Sequence, residues 1–300
     1  MTNKRPGTRR VGWPVGLPPN CQIQKVLGDG GEGRVYLVAD VSTNNKSVVK
    51  IFRSPRTEWE CRGLRAYADC VTGEYPGLPK LGILENEDGI LGVSYEYHPL
   101  YEIHYRLWGV SRHLARAVIG SYCRMQSYLM STAGIVLWDA DVVNFLLARD
   151  GQFHWVDFGW SVQPIDDSFI LDQGGLGYGF AMLLLSAHGV NIKPLMLPGP
   201  GYSLTQPCRY CLDPRLDALA TRHSWLRQVL DEIRQQPSAA FLDPEFYKRL
   251  GSGLPDRVAI PRFIILFSNL LRTGGRLRAF LWRSIQKEHA MSESEPSERD

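Results

Sequence analysis

The sequence predicts an α+β fold, with a small antiparallel β-rich N-terminal part, the N-lobe, followed by a larger, mainly helical part. Three observations carry this. Before residue 98, short apolar runs alternate with Gly and Asn clusters, the texture of strands joined by tight turns. After His98-Pro99 the apolar period changes: Leu114, Val118, Tyr122, Met125 and Leu129 recur every three or four residues, as on one helix face. At 300 residues, with 44% apolar and 22% charged residues, the chain is long enough to bury one large core or two modest ones.

The elements follow in order. Residues 1–21 begin with a basic, Pro- and Gly-rich stretch without periodicity and read as a disordered arm. The N-lobe is expected over 22–98. There Ile23–Leu27, Val35–Val38 and Val48–Phe52 read as three consecutive antiparallel strands, Glu58–Tyr67 as a short helix and Ile90–Tyr95 as a further strand. The helical lobe is expected over 99–290. Phe145–Leu147 and Phe153–Val156 flank Asp150-Gly151, a hairpin signal. Leu176–Ala187, Leu216–Ile233 and Phe263–Trp282 read as helices, and the Ser/Glu-rich residues 291–300 as a disordered acidic tail.

Charge and composition exclude several classes. A net charge of +3 over 300 residues gives no long-range basic field of the kind a nucleic-acid binder needs. No apolar segment follows the basic start as it would in a secretory signal. Gln173–Ile192 is uncharged but holds five glycines, and it reads as a buried helix rather than a membrane span. Six cysteines do not make a disulfide scaffold, and a reducing cytoplasm is the expected setting. Cys208-x-x-Cys211 has zinc-ligand spacing without a second ligand pair nearby, so two thiols in a loop is the expectation. Residues 262–287 combine apolar and basic residues. That face is expected to pack on its own domain rather than to lie on a membrane.

Chemistry concentrates in three places. Gly28, Gly30, Gly33 and Val35 form a G-x-G-x-x-G-x-V match between two predicted strands. A dinucleotide fold would place a helix after the glycines, so a hairpin over a triphosphate fits better: without side chains, backbone N–H groups can approach phosphate. Lys50 ends the next strand but one, where its ammonium would reach the α- and β-phosphates. It needs a carboxylate to hold it, for which Glu60 is the first choice and Glu58 the second. The third place is Asp139-x-x-x-x-Asn144, a strand, a hairpin, a strand, and Asp157-Phe158-Gly159. A nucleophilic hydroxyl needs a carboxylate to orient it and take its proton, here Asp139. Mg²⁺ ions bridging phosphates need oxygen ligands, here Asn144 and Asp157.

In this order the landmarks resemble the protein-kinase-like phosphotransferases over roughly residues 22–190. The resemblance implies a two-lobed, protein-kinase-like fold, a β-rich N-lobe and a helical C-lobe, with ATP and Mg²⁺ between the lobes and an unidentified hydroxyl acceptor, protein or small molecule. It implies a hinge at Tyr95-Glu96-Tyr97, where the backbone of Glu96 and Tyr97 would bond the adenine edge. Asp172-Gln173-Gly174-Gly175-Leu176-Gly177 resembles the start of the family's central C-lobe helix. The family's His-Arg before the catalytic Asp is Leu137-Trp138 here, its Lys two residues later is Asp141, and Glu32 stands where an aromatic residue often caps the glycine loop. The activation segment is short and has no Ala-Pro-Glu. The implied activity is a kinase of serine/threonine protein-kinase type. A small-molecule, lipid or sugar kinase of the same fold, or a nucleotide-binding pseudokinase scaffold, is the alternative.

Overall fold

The computed structural model describes residues 17, 20–166, 175–190, 205, 206 and 208–273. The N-terminal part is one five-stranded antiparallel sheet of order β1-β2-β3-β5-β4: β1 Cys21–Asp29, β2 Gly33–Asp40, β3 Lys46–Arg56, β4 Gly82–Asn86 and β5 Gly89–Glu96. Strand β4 was not legible as a separate run. Alternation along β3 sorts the two faces. Val49 joins Leu17, Tyr36 and Val38 in a small cluster on one face, with Ile51 packed against it. Phe52 belongs instead to the main core shared with the helical lobe. Register then places the chemistry: Gly28 pairs with Val35, Val35 with Lys50, and Lys50 with Val93.

Between β3 and β4 lies α1, Arg62–Cys70, preceded by a 3-10 turn over Trp59–Cys61. The expected helix over Glu58–Tyr67 is therefore displaced toward the C-terminus, because Cys61 (φ −113°, ψ 12°) interrupts helical geometry. Gly63 lets α1 sit on the strand Val162–Pro164: a Cβ there would lie 2.3 Å from the Val162 carbonyl oxygen.

The helical lobe is built on α3, Arg112–Ala133, which follows a single turn, α2, over Tyr105–Trp108. Ser111 caps α3 by accepting from the Leu114 N–H at 3.2 Å, and Gly134 ends it at φ 60°. The predicted stripe Leu114, Val118, Tyr122, Met125 and Leu129 is fully buried. Two buried polar groups on α3 hold the next strand: Tyr122 Oη donates to the Leu137 carbonyl and Gln126 Oε1 accepts the Leu137 N–H, both at 2.9 Å. That strand, β6 (Ile135–Leu137), pairs with β9 (Val162–Pro164), while β7 (Phe145–Leu147) and β8 (Phe153–Trp155) form the expected hairpin.

Helix α4, Gly175–Ala187, runs under this loop system and buries Phe180 and Leu183–Leu185. Its described part begins at Gly175, so Asp172-Gln173-Gly174 lie outside the described residues. Further helices are α5 Pro214–Ala220, α6 Ser224–Arg234, α7 Pro244–Ser252 and α8 Pro261–Thr273. The single helix expected over Leu216–Ile233 is two, because His223 is extended (φ −133°, ψ 97°) and starts a new helix. In α8, Ile264, Ile265 and Leu271 pack into the main core, while Phe263 and Leu266 are exposed. Residues 274–287 lie outside the described residues, as do residues 291–300 and nearly all of 1–19. Among the described residues no helix is long and apolar enough to cross a membrane.

One glycine on α4 tests this packing. A Cβ at Gly179 would lie 1.8 Å from the Trp138 carbonyl oxygen, a backbone atom with little freedom to yield. Gly179→Ala is expected to destabilise by about 1–3 kcal/mol, the usual range for overpacking a close-packed site. A melting temperature equal to wild type would show that the strand before Asp139 does not rest on α4.

Candidate active site

The site lies between the sheet and the helical lobe. It is a cavity of about 830 Å³, lined above by Gly28–Gly33, Val35, Val48 and Lys50, at the back by Tyr95–His98, and below by Asn144, Leu146 and Asp157. Of the predicted residues, Gly28, Gly30, Gly33, Val35, Lys50, Glu96, Tyr97, Asn144 and Asp157 all border this one space.

The glycine hairpin has a defined seat. Its tip is closed by the Gly30 N–H donating to the Gly33 carbonyl at 2.9 Å. From β3, the Arg53 guanidinium donates to the carbonyls of Gly30 and Gly31 at 2.7–3.0 Å and to Asp29 at 2.9 Å. Gly33 needs its missing side chain: a Cβ would lie 2.3 Å from the Ile51 carbonyl oxygen.

Lys50 is buried, and its Nζ lies 2.7 Å from Asp157 Oδ1 and 2.7 Å from Glu32 Oε2. Glu60 does not supply the expected partner. Its carboxylate accepts from the Thr57 N–H and hydroxyl at 2.9 and 2.8 Å at the surface, and these bonds hold its carboxyl below the usual range. Glu58, the second choice, pairs with Arg65 at 3.1 Å. The carboxylate that meets Lys50 from above is Glu32, at the hairpin tip. Its Oε1 accepts from the Trp160 N–H at 3.1 Å and lies 3.4 Å from Arg56 Nη2. Burial opposes its ionisation, but Lys50 and then Arg56 and the Trp160 N–H outweigh burial and hold the carboxyl below its ordinary range.

Below the cavity, Phe158 is fully buried, edge-on to Tyr67 of α1 and to Tyr95, with ring centroids 5.2 and 5.4 Å away. This anchor turns Asp157 toward Lys50. Asn144 Nδ2 donates to the Asp139 main-chain carbonyl at 2.8 Å, tying the two ends of the D-x-x-x-x-N loop together. The Asp139 carboxyl is pushed up from 3.8 to about 6, first by burial and then by the charges of Asp157 and Asp141. A carboxyl poised there is ionised at neutral pH yet basic enough to accept a proton.

Two departures from the family pattern acquire structural meaning. The Trp138 indole N–H donates to the Trp160 carbonyl at 2.7 Å, and the Trp138 main-chain N–H donates to the Ser161 carbonyl at 3.1 Å. Gln163 Nε2 donates to the same Trp160 carbonyl at 2.8 Å. Neutral groups thus hold the start of the segment after Gly159. Ser161 is itself buried, with its hydroxyl on the Asp157 carbonyl, and Ser168 lies outside the described residues. Asp141 caps the 3-10 turn Val142–Asn144, accepting from the Val143 N–H at 3.4 Å, while the Val142 N–H donates to Ser186 of α4 at 3.3 Å. Burial pushes the Asp141 carboxyl up. At the hinge expected over Tyr95–Tyr97, the Tyr97 N–H donates to the Lys46 carbonyl at 3.1 Å.

Cys208 and Cys211 are buried and hydrogen-bonded to each other. Among the described residues no group of three or more His, Cys, Asp or Glu side chains is placed to hold a metal ion. The residues that would hold Mg²⁺ are one carboxylate and one carboxamide, Asp157 and Asn144, on the floor of the same cavity. An all-oxygen set with room for phosphate oxygens suits that ion.

No protein-family model matches the chain, and no curated protein matches it. Among solved structures, the PknI kinase domain of Mycobacterium tuberculosis is similar at 18% identity and a TM-score of 0.48, covering 79% of this chain and 99% of that one. The chain's own sheet order, the helical stack below it and the cleft between them make a protein-kinase-like, two-lobed α+β fold.

Proposed function

We propose that this protein is an ATP- and Mg²⁺-dependent phosphotransferase that moves the γ-phosphoryl group of ATP to a hydroxyl. The observation that carries the reading is the Lys50–Asp157 contact at 2.7 Å beneath a seated glycine hairpin, joining the roof of a cavity to a floor that holds Asn144 and Asp157. The nucleotide supplies the transferable group and the metal neutralises charge on its phosphates.

This chain's residues divide the remaining work. Lys50 meets phosphate oxygens and is held in reach by its acidic partners. Asn144 and Asp157 would hold the metal. Asp139 orients the acceptor hydroxyl and takes its proton as the new O–P bond forms, while the γ-phosphorus separates from the bridging oxygen and ADP leaves. Asp141 is turned to the 3-10 turn and does not supply the cation found there in the family, so charge compensation falls to Lys50 and the metal. A serine/threonine protein-kinase type is the working assignment. The buried, hydrogen-bonded Ser161 and the indole at Trp138 favour an activity that does not wait for phosphorylation in the segment after Gly159.

The test is incubation with γ-labelled ATP, with and without Mg²⁺, offering the protein itself, protein hydroxyls and small alcohols as acceptors. Metal-dependent transfer of label to any of these supports the reading. Nucleotide binding with no label leaving ATP identifies a scaffold without turnover. Absence of both overturns nucleotide use altogether.

A further inference from the structure

We infer that Glu32 is the positioning residue for Lys50, so that seating of the glycine hairpin, rather than a movement of α1, completes the phosphate-binding site. This rests on the phosphotransferase reading and goes beyond it. A lysine that must meet phosphate needs a carboxylate to fix its direction. Among the described residues, the ion pairs of Lys50 are with Glu32 and Asp157, each at 2.7 Å. Asp157 is also assigned to the metal, which leaves Glu32 as the constant partner. Helix α1 and its preceding turn do not compete, because Glu60 is spent on Thr57 and Glu58 on Arg65.

The Glu32 carboxylate is used on both oxygens. One faces Lys50, and the other faces the Trp160 N–H at 3.1 Å and Arg56 at 3.4 Å. It therefore connects three parts of the site: the hairpin, strand β3 and the residue that follows Asp157-Phe158-Gly159. Gly159 admits it, since a Cβ there would lie 2.3 Å from Glu32 Oε2. On the outside of the hairpin, Arg53 holds the tip carbonyls of Gly30 and Gly31. Inner and outer contacts together give the hairpin one seat, in which Lys50 and Asp157 are already aligned. In Glu32→Gln, an amide N–H₂ would face groups that are all donors, so alignment is lost with almost no change of volume.

The experiment compares full-length wild type, Glu32→Gln and Glu60→Gln for binding of ATP·Mg²⁺, binding of adenosine, and turnover of labelled ATP. Adenosine lacks phosphates but occupies the same cavity, so it reports a collapsed hairpin that a merely structural role for Glu32 would produce. Expected for Glu32→Gln are weaker ATP·Mg²⁺ binding, turnover reduced about 10²-fold, as for a small misplacement of a reacting group, and unchanged adenosine affinity. Glu60→Gln should match wild type throughout. The inference is overturned if Glu32→Gln equals wild type, if it gains turnover (Glu32 then being a block), if adenosine binding falls in parallel, or if the loss belongs to Glu60→Gln. Wild type that binds neither ATP nor adenosine overturns the phosphotransferase reading, and this one with it.

Discussion

Asp139→Asn is expected to abolish phosphoryl transfer, leave ATP·Mg²⁺ affinity nearly unchanged and raise the melting temperature at neutral pH. The kinetic part follows from the role of a positioned base, typically worth about 10²–10⁴-fold. The stability part follows from the raised carboxyl, which moves from 3.8 to about 6. A group whose folded-state value is raised binds its proton more tightly in the folded state. Stability therefore falls as pH rises from about 4 to about 6, and above that the penalty is constant. Two pH units correspond to at most about 3 kcal/mol, and the group's partial contact with solvent reduces this to about 1 kcal/mol. The neutral Asn escapes the penalty, so the two melting curves should separate between about pH 4 and about pH 6 and stay separated above. Wild-type turnover should climb with pH through about 6. Full turnover in Asp139→Asn would move the base elsewhere. A wild type that melts higher than the variant at pH 7 would mean that the Asp139 charge is compensated.

The second large effect concerns Asp157. In wild type, ATP·Mg²⁺ at about 100 times its dissociation constant should stabilise by about 2.7 kcal/mol, and Asp157→Ala should lose most of this. The substitution removes the floor carboxylate that would hold the metal and also the contact at 2.7 Å that orients Lys50 from below. Adenosine, which needs neither, should bind both proteins alike. Melting shifts compared with ATP·Mg²⁺, ATP with a chelator, and adenosine separate the two contributions. Equal ATP·Mg²⁺ shifts in wild type and Asp157→Ala would sink the metal assignment. An adenosine shift lost along with the ATP shift would mean that the variant's cavity has collapsed.

Much of this architecture is written locally. The strand-turn texture of residues 22–52, the stripe from Leu114 to Leu129 and the Asp150-Gly151 hairpin each depend on neighbours a few positions apart, and periodicity reports such neighbours directly. The same holds for placing Lys50 under Gly28: two tight turns set the register of three strands, and register set the pairing of Gly28 with Val35 and of Val35 with Lys50. Short strands such as Gly82–Asn86, Ile135–Leu137 and Val162–Pro164 left no comparable trace, since three to five residues hold too little period to read.

What only the tertiary structure decided is which charges meet. Sequence order nominated Glu60 for Lys50, yet Thr57, three residues away, satisfies Glu60 more cheaply than a reach into the cleft. Glu32 lies 18 residues from Lys50 and 128 from Trp160, and those contacts exist because the hairpin tip folds down onto the segment after Asp157. Trp138 read as a lost arginine until β6 and β9 paired and brought its indole to the Trp160 carbonyl. Strand pairing likewise takes the Tyr97 N–H at the expected hinge, which donates to the Lys46 carbonyl. Hydrogen-bond partners are chosen by proximity after folding, and proximity across more than a hundred residues is a property of how lobes close, which no local spacing encodes.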